Sequence, residues 1–188
     1  LYHMGFSLSS ETDYGNARIE QKLILEVLRK LPYKVRYKTY PEDNRRYADI
    51  DPVLKDVREA DNIELFSKKI DMRYLVSEHS ILVTTCATST LGWLVMSGKP
   101  TVFINQKNNN PLTDEAYKSL SKGIFVFDAD EQDFHKNISD FLSQPIDKIE
   151  RLWQEKEGAR EEMLREYFSA YNGGAGKRSA KIILNEYF

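Results

Sequence analysis

The sequence predicts an α/β fold: a doubly wound parallel sheet of about six strands, formed by a single domain spanning all 188 residues. Three observations predict it. Short apolar runs alternate with segments of helical periodicity along the whole chain. Residues 81–105, ILVTTCATSTLGWLVMSGKPTVFIN, read as strand, hydroxyl-rich turn, helix, Gly-Lys-Pro stop and strand. Both of those strands are apolar and uncharged, as strands covered on both faces of a parallel sheet are.

The elements follow in order. Leu1-Tyr2-His3-Met4 ahead of Gly5 reads as a strand running into a loop, and residues 5–15 are rich in Ser, Thr, Asp and Gly. A helix is expected over 17–31, where Ile19, Leu23, Ile24, Val27, Leu28 and Leu31 share one face; Pro32 ends it. YKVRYKT at 33–39 alternates as a strand with a mixed face. Residues 40–44 have turn chemistry. A short helix at 52–60 carries Pro in its first turn, a strand follows at 63–66, and a short helix at 70–77 turns Met72, Leu75 and Val76 inward. After the strand at 81–84, residues 89–97 are long enough for a helix. Gly98 can supply its left-handed terminus and Pro100 forbids continuation.

The strand at 101–105 leads into QKNNNPLT, a loop too hydrophilic to be buried. Residues 114–121 read as a helix and 123–127 as a buried strand. Phe134, Ile138, Phe141 and Leu142 mark a helix capped near Asp130 and broken by Pro145. A long, heavily charged helix is expected over 147–167. Its thin stripe is Ile149, Leu152, Trp153, Lys156, Ala159, Met163 and Tyr167, with Gly158 as the weak point. Asn172-Gly173-Gly174 turns the chain into a last helix whose apolar positions are Ala180, Ile183, Leu184 and Tyr187. There are no repeats, low-complexity segments or internal linkers.

Composition narrows the function classes. Apolar residues make up 41% of the chain, enough for a core, and the net charge is −2. That balance argues against a generic nucleic-acid binder, which carries a basic excess. The single cysteine, Cys86, excludes an internal disulfide, fits a reducing compartment, and follows a buried strand as a small buried thiol would. No apolar run approaches the ~18 residues of a membrane span, and no signal peptide is recognisable. These features fit a cytoplasmic location, at most peripheral to the inner face of a membrane. The opening at Leu1, without an initiator Met, suggests a domain cut from a longer protein. His3, His79 and His135 are scattered, the last two expected at the surface, and no ligand spacing argues for a metal.

The turn after residue 84 carries Thr84, Thr85, Thr88, Ser89 and Thr90. In a parallel sheet, ligands bind beyond the carboxyl ends of the strands. A helix N-terminus with free N–H groups and short hydroxyls seats an anion. A phosphate or diphosphate at residues 87–90 is one reading; an N-cap and turn with no ligand is the other.

The strand, Ser/Thr-rich turn, helix, Gly-x-Pro and strand of residues 79–105, preceded by the short strand, loop and helix in NIELFSKKIDMRYLVSEH, resemble the C-terminal, donor-binding domain of a GT-B glycosyltransferase. The resemblance covers roughly residues 20–185. The nearest groups are bacterial surface-carbohydrate enzymes, the sugar transferases of capsule and lipopolysaccharide. The resemblance implies a Rossmann-like domain that binds a nucleotide-sugar donor, CMP- or UDP-linked. The acceptor would be a saccharide or glycolipid, the partner its own N-terminal domain carrying the catalytic base, with no metal or other cofactor.

By that resemblance, Thr88, Ser89 and Thr90 hold the donor phosphate and Arg36 or Lys38 neutralises it. Phe66 and Ser67 sit by the base, Asn105 and Lys107 reach the sugar, and Gly5, Ser7 and Ser9 face the interdomain cleft. Two positions depart from the pattern. Trp93 stands where many members carry an acidic, ribose-binding residue. Tyr40-Pro41 stands where polyol-phosphate transferases carry His-Pro. A sugar-nucleotide 2-epimerase, a polyol-phosphate transferase domain and a non-catalytic module binding through its charged helix are the alternatives. Trp153 is expected to pack locally, and Met163 and Tyr167 to meet the other domain.

Overall fold

A computed structural model describes residues 10–39, 52–85, 87–108, 111–171 and 173–187. The fold is α/β with parallel sheets. Among the described residues there are five strands: β1 (Val35–Lys38), β2 (Ile63–Phe66), β3 (Leu82–Thr84), β4 (Thr101–Asn105) and β5 (Phe125–Asp128). They form a two-stranded sheet, β1-β2, and a three-stranded sheet, β3-β4-β5, with every pairing parallel. The strand expected at residues 1–4 and the turn at 40–44 lie outside the described residues.

The helices are α1 (Ser10–Lys22), α2 (Pro52–Arg58), α3 (Ser89–Met96), α4 (Asp114–Gly123), α5 (Phe134–Leu142), α6 (Ile146–Glu155), α7 (Glu157–Tyr167) and α8 (Ala175–Tyr187). α1 begins inside the segment expected to be a loop. Helix growth is cooperative once a stable turn exists, and the buried face further along supplies that turn. The helix then widens into a π segment, Leu23–Val27, and tightens into a 3-10 turn, Leu28–Lys30. Asn62 locks this end: its Nδ2 donates to the carbonyls of Leu28, Leu31 and Tyr33 at 3.0, 3.2 and 3.1 Å. The short helix expected at 70–77 is instead two 3-10 turns, Met72–Tyr74 and Val76–Glu78, the first capped by Asp71 accepting from the Arg73 N–H. Only Leu75 is fully buried there, so one inward side chain holds the segment and no second helical turn is stabilised.

The central unit forms as expected. β3, α3 and β4 follow one another, and Gly98 takes φ +75°, the left-handed terminus. β5 starts two residues later than the apolar run, because Gly123 closes α4 against α7. A Cβ at Gly123 would meet Met163 Sδ at 3.0 Å and Arg160 Cα at 3.1 Å, so a larger residue would push α7 back by a few tenths of an ångström. α5 starts after Asp133 with no side-chain cap, not at a cap near Asp130; the Asp130 carboxylate serves the β4 loop instead.

The long helix expected over 147–167 is two helices. The break falls at Lys156, with φ −89° and ψ 2°, and not at Gly158. Side chains explain it. The Arg160 guanidinium lies 3.9 Å from the Trp153 ring and donates to the Trp153 carbonyl at 2.7 Å. Lys156 Nζ donates to the carbonyls of Ser121 and Lys122 at the end of α4. Trp153, 1% exposed, packs locally as expected, with its indole N–H donating to Gly98 O at 2.9 Å. Met163 is buried in the same core, so it does not face outward; Tyr167 remains exposed. Ile182, Ile183 and Leu184 of α8 are more than half exposed. Of the apolar positions expected for the last helix, Ile183 and Leu184 therefore do not join the core of the described residues.

The core runs through both sheets and the helices against them. α1 and its continuation pack on α2 and α5, and α4 packs on α7. A cavity of about 330 Å³ is lined by all four residues of β1 and all three of β3. Within the described residues, no helix is long and apolar enough to cross a membrane.

Candidate functional site

Parallel strands point their carboxyl ends one way, and the candidate residues sit there for that reason. Lys38 and Phe66 end β1 and β2, Thr84 ends β3 ahead of α3, and Asn105 and Asp128 end β4 and β5 in register with each other. Three groupings result.

The first is the β3–α3 turn. Thr88 is the residue before the helix, with extended backbone (φ −116°, ψ −162°) and no side-chain hydrogen bond capping α3. Its carbonyl accepts from Leu91 N at 3.0 Å. Thr88 and Ser89 are exposed and Thr90 half-buried. The first turn holds no acidic residue, so nothing in it repels an anion. The first N–H groups of a helix lack intrahelical partners and lie at the positive end of its dipole, and these three residues stand at that end of α3.

The second grouping surrounds Phe66. Its ring is 8% exposed and lies 5.2, 5.6 and 5.9 Å from the cationic centres of Arg36, Lys38 and Lys68. Arg36 is held by two carboxylates, Glu64 at 3.1 Å and Glu78 at 2.6 Å, whose hydrogen bonds raise its pKa further. Lys38 is buried and donates to the Thr39 carbonyl. Burial lowers its pKa and the Asp71 charge partly restores it. Ser67 is exposed just past β2.

The third grouping is a polar network on Asp128, which is 4% exposed; Asn105 Oδ1 within it is buried with no hydrogen-bond partner among the described residues. Its carboxylate accepts from Asn105 Nδ2 at 2.6 Å, Tyr117 Oη at 2.7 Å and Lys107 Nζ at 2.8 Å. Burial alone would raise the Asp128 pKa; the three donors together overcome it and hold it below the ordinary carboxylate value. The same bonds raise Lys107 and Tyr117. Lys107 N and Asn108 Nδ2 donate to Asp130 at 2.9 and 2.7 Å. Asn105 and Gln106 are buried although the loop that begins here is polar; for Asn105 the bond to Asp128 is the reason.

The structure thus brings Asn105 and Lys107 together through Asp128, and Arg36, Lys38 and Phe66 around one ring. Thr88, Ser89 and Thr90 form the turn by themselves. Gly5, Ser7 and Ser9 lie outside the described residues. Asp128 and Tyr117 were not singled out from sequence. The available signal was a carboxylate closing the buried run Phe-Val-Phe. His79 and His135 are half-buried, and burial lowers both pKa values. Among the described residues, no cluster of His, Cys, Asp and Glu could hold a metal ion.

No protein-family model, no curated protein and no solved structure matches the chain.

Proposed function

We propose that this chain is the donor-binding domain of a glycosyltransferase that moves a sugar from a CMP- or UDP-linked donor to a polysaccharide or glycolipid acceptor. The observation that carries the reading is the start of α3. At the carboxyl end of a parallel strand, Thr88 leaves its hydroxyl out of the cap, and Thr88 and Ser89 are exposed beside the helix N-terminus. A donor diphosphate or phosphate is the anion that such a turn accepts. In this reading the domain's contribution to the reaction is electrostatic: hydrogen bonds at the turn stabilise charge on the leaving phosphate. The catalytic base belongs to a second domain, and the exposed Ile182, Ile183 and Leu184 of α8 offer an apolar surface for it. The reading also takes the five described strands as part of one doubly wound sheet of about six.

The test is titration calorimetry with CMP, UDP and their sugar conjugates. A charge-assisted hydrogen bond contributes about 1.5–3 kcal/mol, so the double variant Thr88→Val, Ser89→Ala should lose at least tenfold in affinity. Unchanged affinity, or no nucleotide binding by the parent chain, would remove the site.

A further inference from the structure

We propose that the outer face of α3, together with the segment between β2 and β3, is a docking surface for an anionic membrane. Ile70, Tyr74, Trp93 and Met96 enter the headgroup layer, and Lys68, Lys69 and Arg73 meet the lipid phosphates. Exposure and charge at this surface carry the inference, independently of the donor-binding reading.

The sequence of α3 sets up the apolar part. STLGWLVM contains no charged residue. Leu91, Leu94 and Val95 are buried, which leaves Trp93 and Met96, three residues apart on the outer face, 42% and 50% exposed. A surface helix ordinarily places charged or polar side chains there. The second element is the segment after β2. Ile70 and Tyr74 are 40% and 70% exposed, and of residues 70–79 only Leu75 is buried. Arg73 joins the two elements: its guanidinium lies 5.1 Å from the Trp93 ring and 5.5 Å from the Tyr74 ring. Scattered apolar side chains are ordinary on a protein surface, whereas adjoining ones rimmed by polar groups mark an interaction site.

Charge selects the occupant. Residues 67–74, SKKIDMRY, hold three cations and one carboxylate. That carboxylate, Asp71, is bound to Arg73 at 3.1 Å, and the next along the chain, Glu78, is bound to Arg36 at 2.6 Å. Lys68 and Lys69 are exposed. The local balance is therefore positive although the chain as a whole carries −2. Tryptophan and tyrosine settle at the membrane–water boundary, where an apolar ring and a polar edge are both accommodated. Ile70 and Met96 gain from burial at the acyl boundary, and adjoining lysines attract anionic headgroups. A saccharide would be held by hydrogen-bonding side chains beside the rings, and neither Ile70 nor Met96 carries a donor.

Vesicle binding by the full chain tests the proposal. Trp93 is the reporter, because the other tryptophan, Trp153, is 1% exposed and bonded to Gly98 O. With vesicles of phosphatidylcholine and phosphatidylglycerol the protein should co-sediment, its emission should move to shorter wavelength, and brominated acyl chains should quench it. Vesicles of phosphatidylcholine alone should bind about tenfold more weakly or worse, since each cation near an anionic surface contributes about fivefold. Two double variants of exposed side chains, Tyr74→Ala, Trp93→Ala and Lys68→Glu, Lys69→Glu, should each lose about tenfold or more in binding at an unchanged unfolding midpoint. No co-sedimentation, or no quenching by brominated lipid in the unsubstituted chain, overturns the proposal, and so does equal binding to neutral vesicles. Unchanged binding by Tyr74→Ala, Trp93→Ala places the contact on another face and overturns it too. An emission change with soluble oligosaccharide but not with vesicles overturns it in favour of a saccharide site.

Discussion

The two ends of the β3-β4-β5 sheet edge treat polar groups in opposite ways. At β4 and β5, Asn105, Tyr117 and Lys107 all direct their donors onto one buried carboxylate, Asp128. At β3, Thr88 leaves α3 without a side-chain cap and Thr88 and Ser89 face solvent. The first arrangement directs its donors onto a carboxylate inside the fold, although Asn105 Oδ1 is buried with no partner among the described residues. The second leaves the Thr88 and Ser89 side chains exposed, with no side-chain bond capping the helix. The Phe66 cluster lies between these extremes: Arg36 is committed to Glu64 and Glu78, while Lys38 donates to a backbone carbonyl. Polar residues at strand ends are therefore not equivalent as site candidates, and partner satisfaction separates them.

Four predictions press on this contrast. Asp128→Ala should be the most damaging, since it strands the buried Asn105 amide and removes the partner of Lys107. A loss of about 3 kcal/mol is expected in urea unfolding, and a loss under about 0.5 kcal/mol would show the network to be incidental.

The second concerns acid. The Asp128 pKa is lower in the fold than the ordinary value, so its contribution is complete above the unfolded carboxylate pKa of about 3.9. It fades as pH falls through the lowered folded value. The stability gap between the parent and Asp128→Asn should therefore be full at pH 6 and shrink below about pH 4; a gap independent of pH would contradict the charge-assisted role.

Tyr117→Phe removes one of the three donors and should cost about 1 kcal/mol, measured by the same unfolding curves. The smallest effect belongs to the turn. Thr88→Val, Ser89→Ala should change stability by no more than about 0.5 kcal/mol, because no cap bond is lost. A cost of 1–2 kcal/mol would mean that Thr88 caps α3 in solution, and the contrast would collapse.

Legibility differed by element for physical reasons. Residues 101–105 are an uninterrupted apolar strand bounded by Pro100 and a polar loop, and β4 occupies those positions. Gly98 and Pro100 marked the end of α3 because few other residues permit that geometry. The break at Lys156 was not legible. Helical periodicity continues across it, and the contact of Arg160 with the Trp153 ring and carbonyl that accompanies it is visible only in the folded chain. Gly123 likewise read as a strand start, until the approach of α7 showed why it closes α4. At the candidate site, the hydroxyl turn was readable from composition, whereas Asp128 was not, because its three donors come from separate segments.

By itself the sequence determined the alternation of strands and helices, the parallel α/β class and the hydroxyl-rich start of α3. These depend on local periodicity, on glycine and proline backbone limits and on side-chain chemistry within a few residues. Only the tertiary structure decided that the described strands form two sheets, with β1 and β3 both lining one cavity. It also decided that Arg36 is already paired, that Met163 is interior, and that Ile182, Ile183 and Leu184 of α8 are exposed. Each of those facts is a contact, or its absence, between segments far apart in the chain. Local pattern constrains which face of an element is apolar, but the neighbour that covers that face is set by packing.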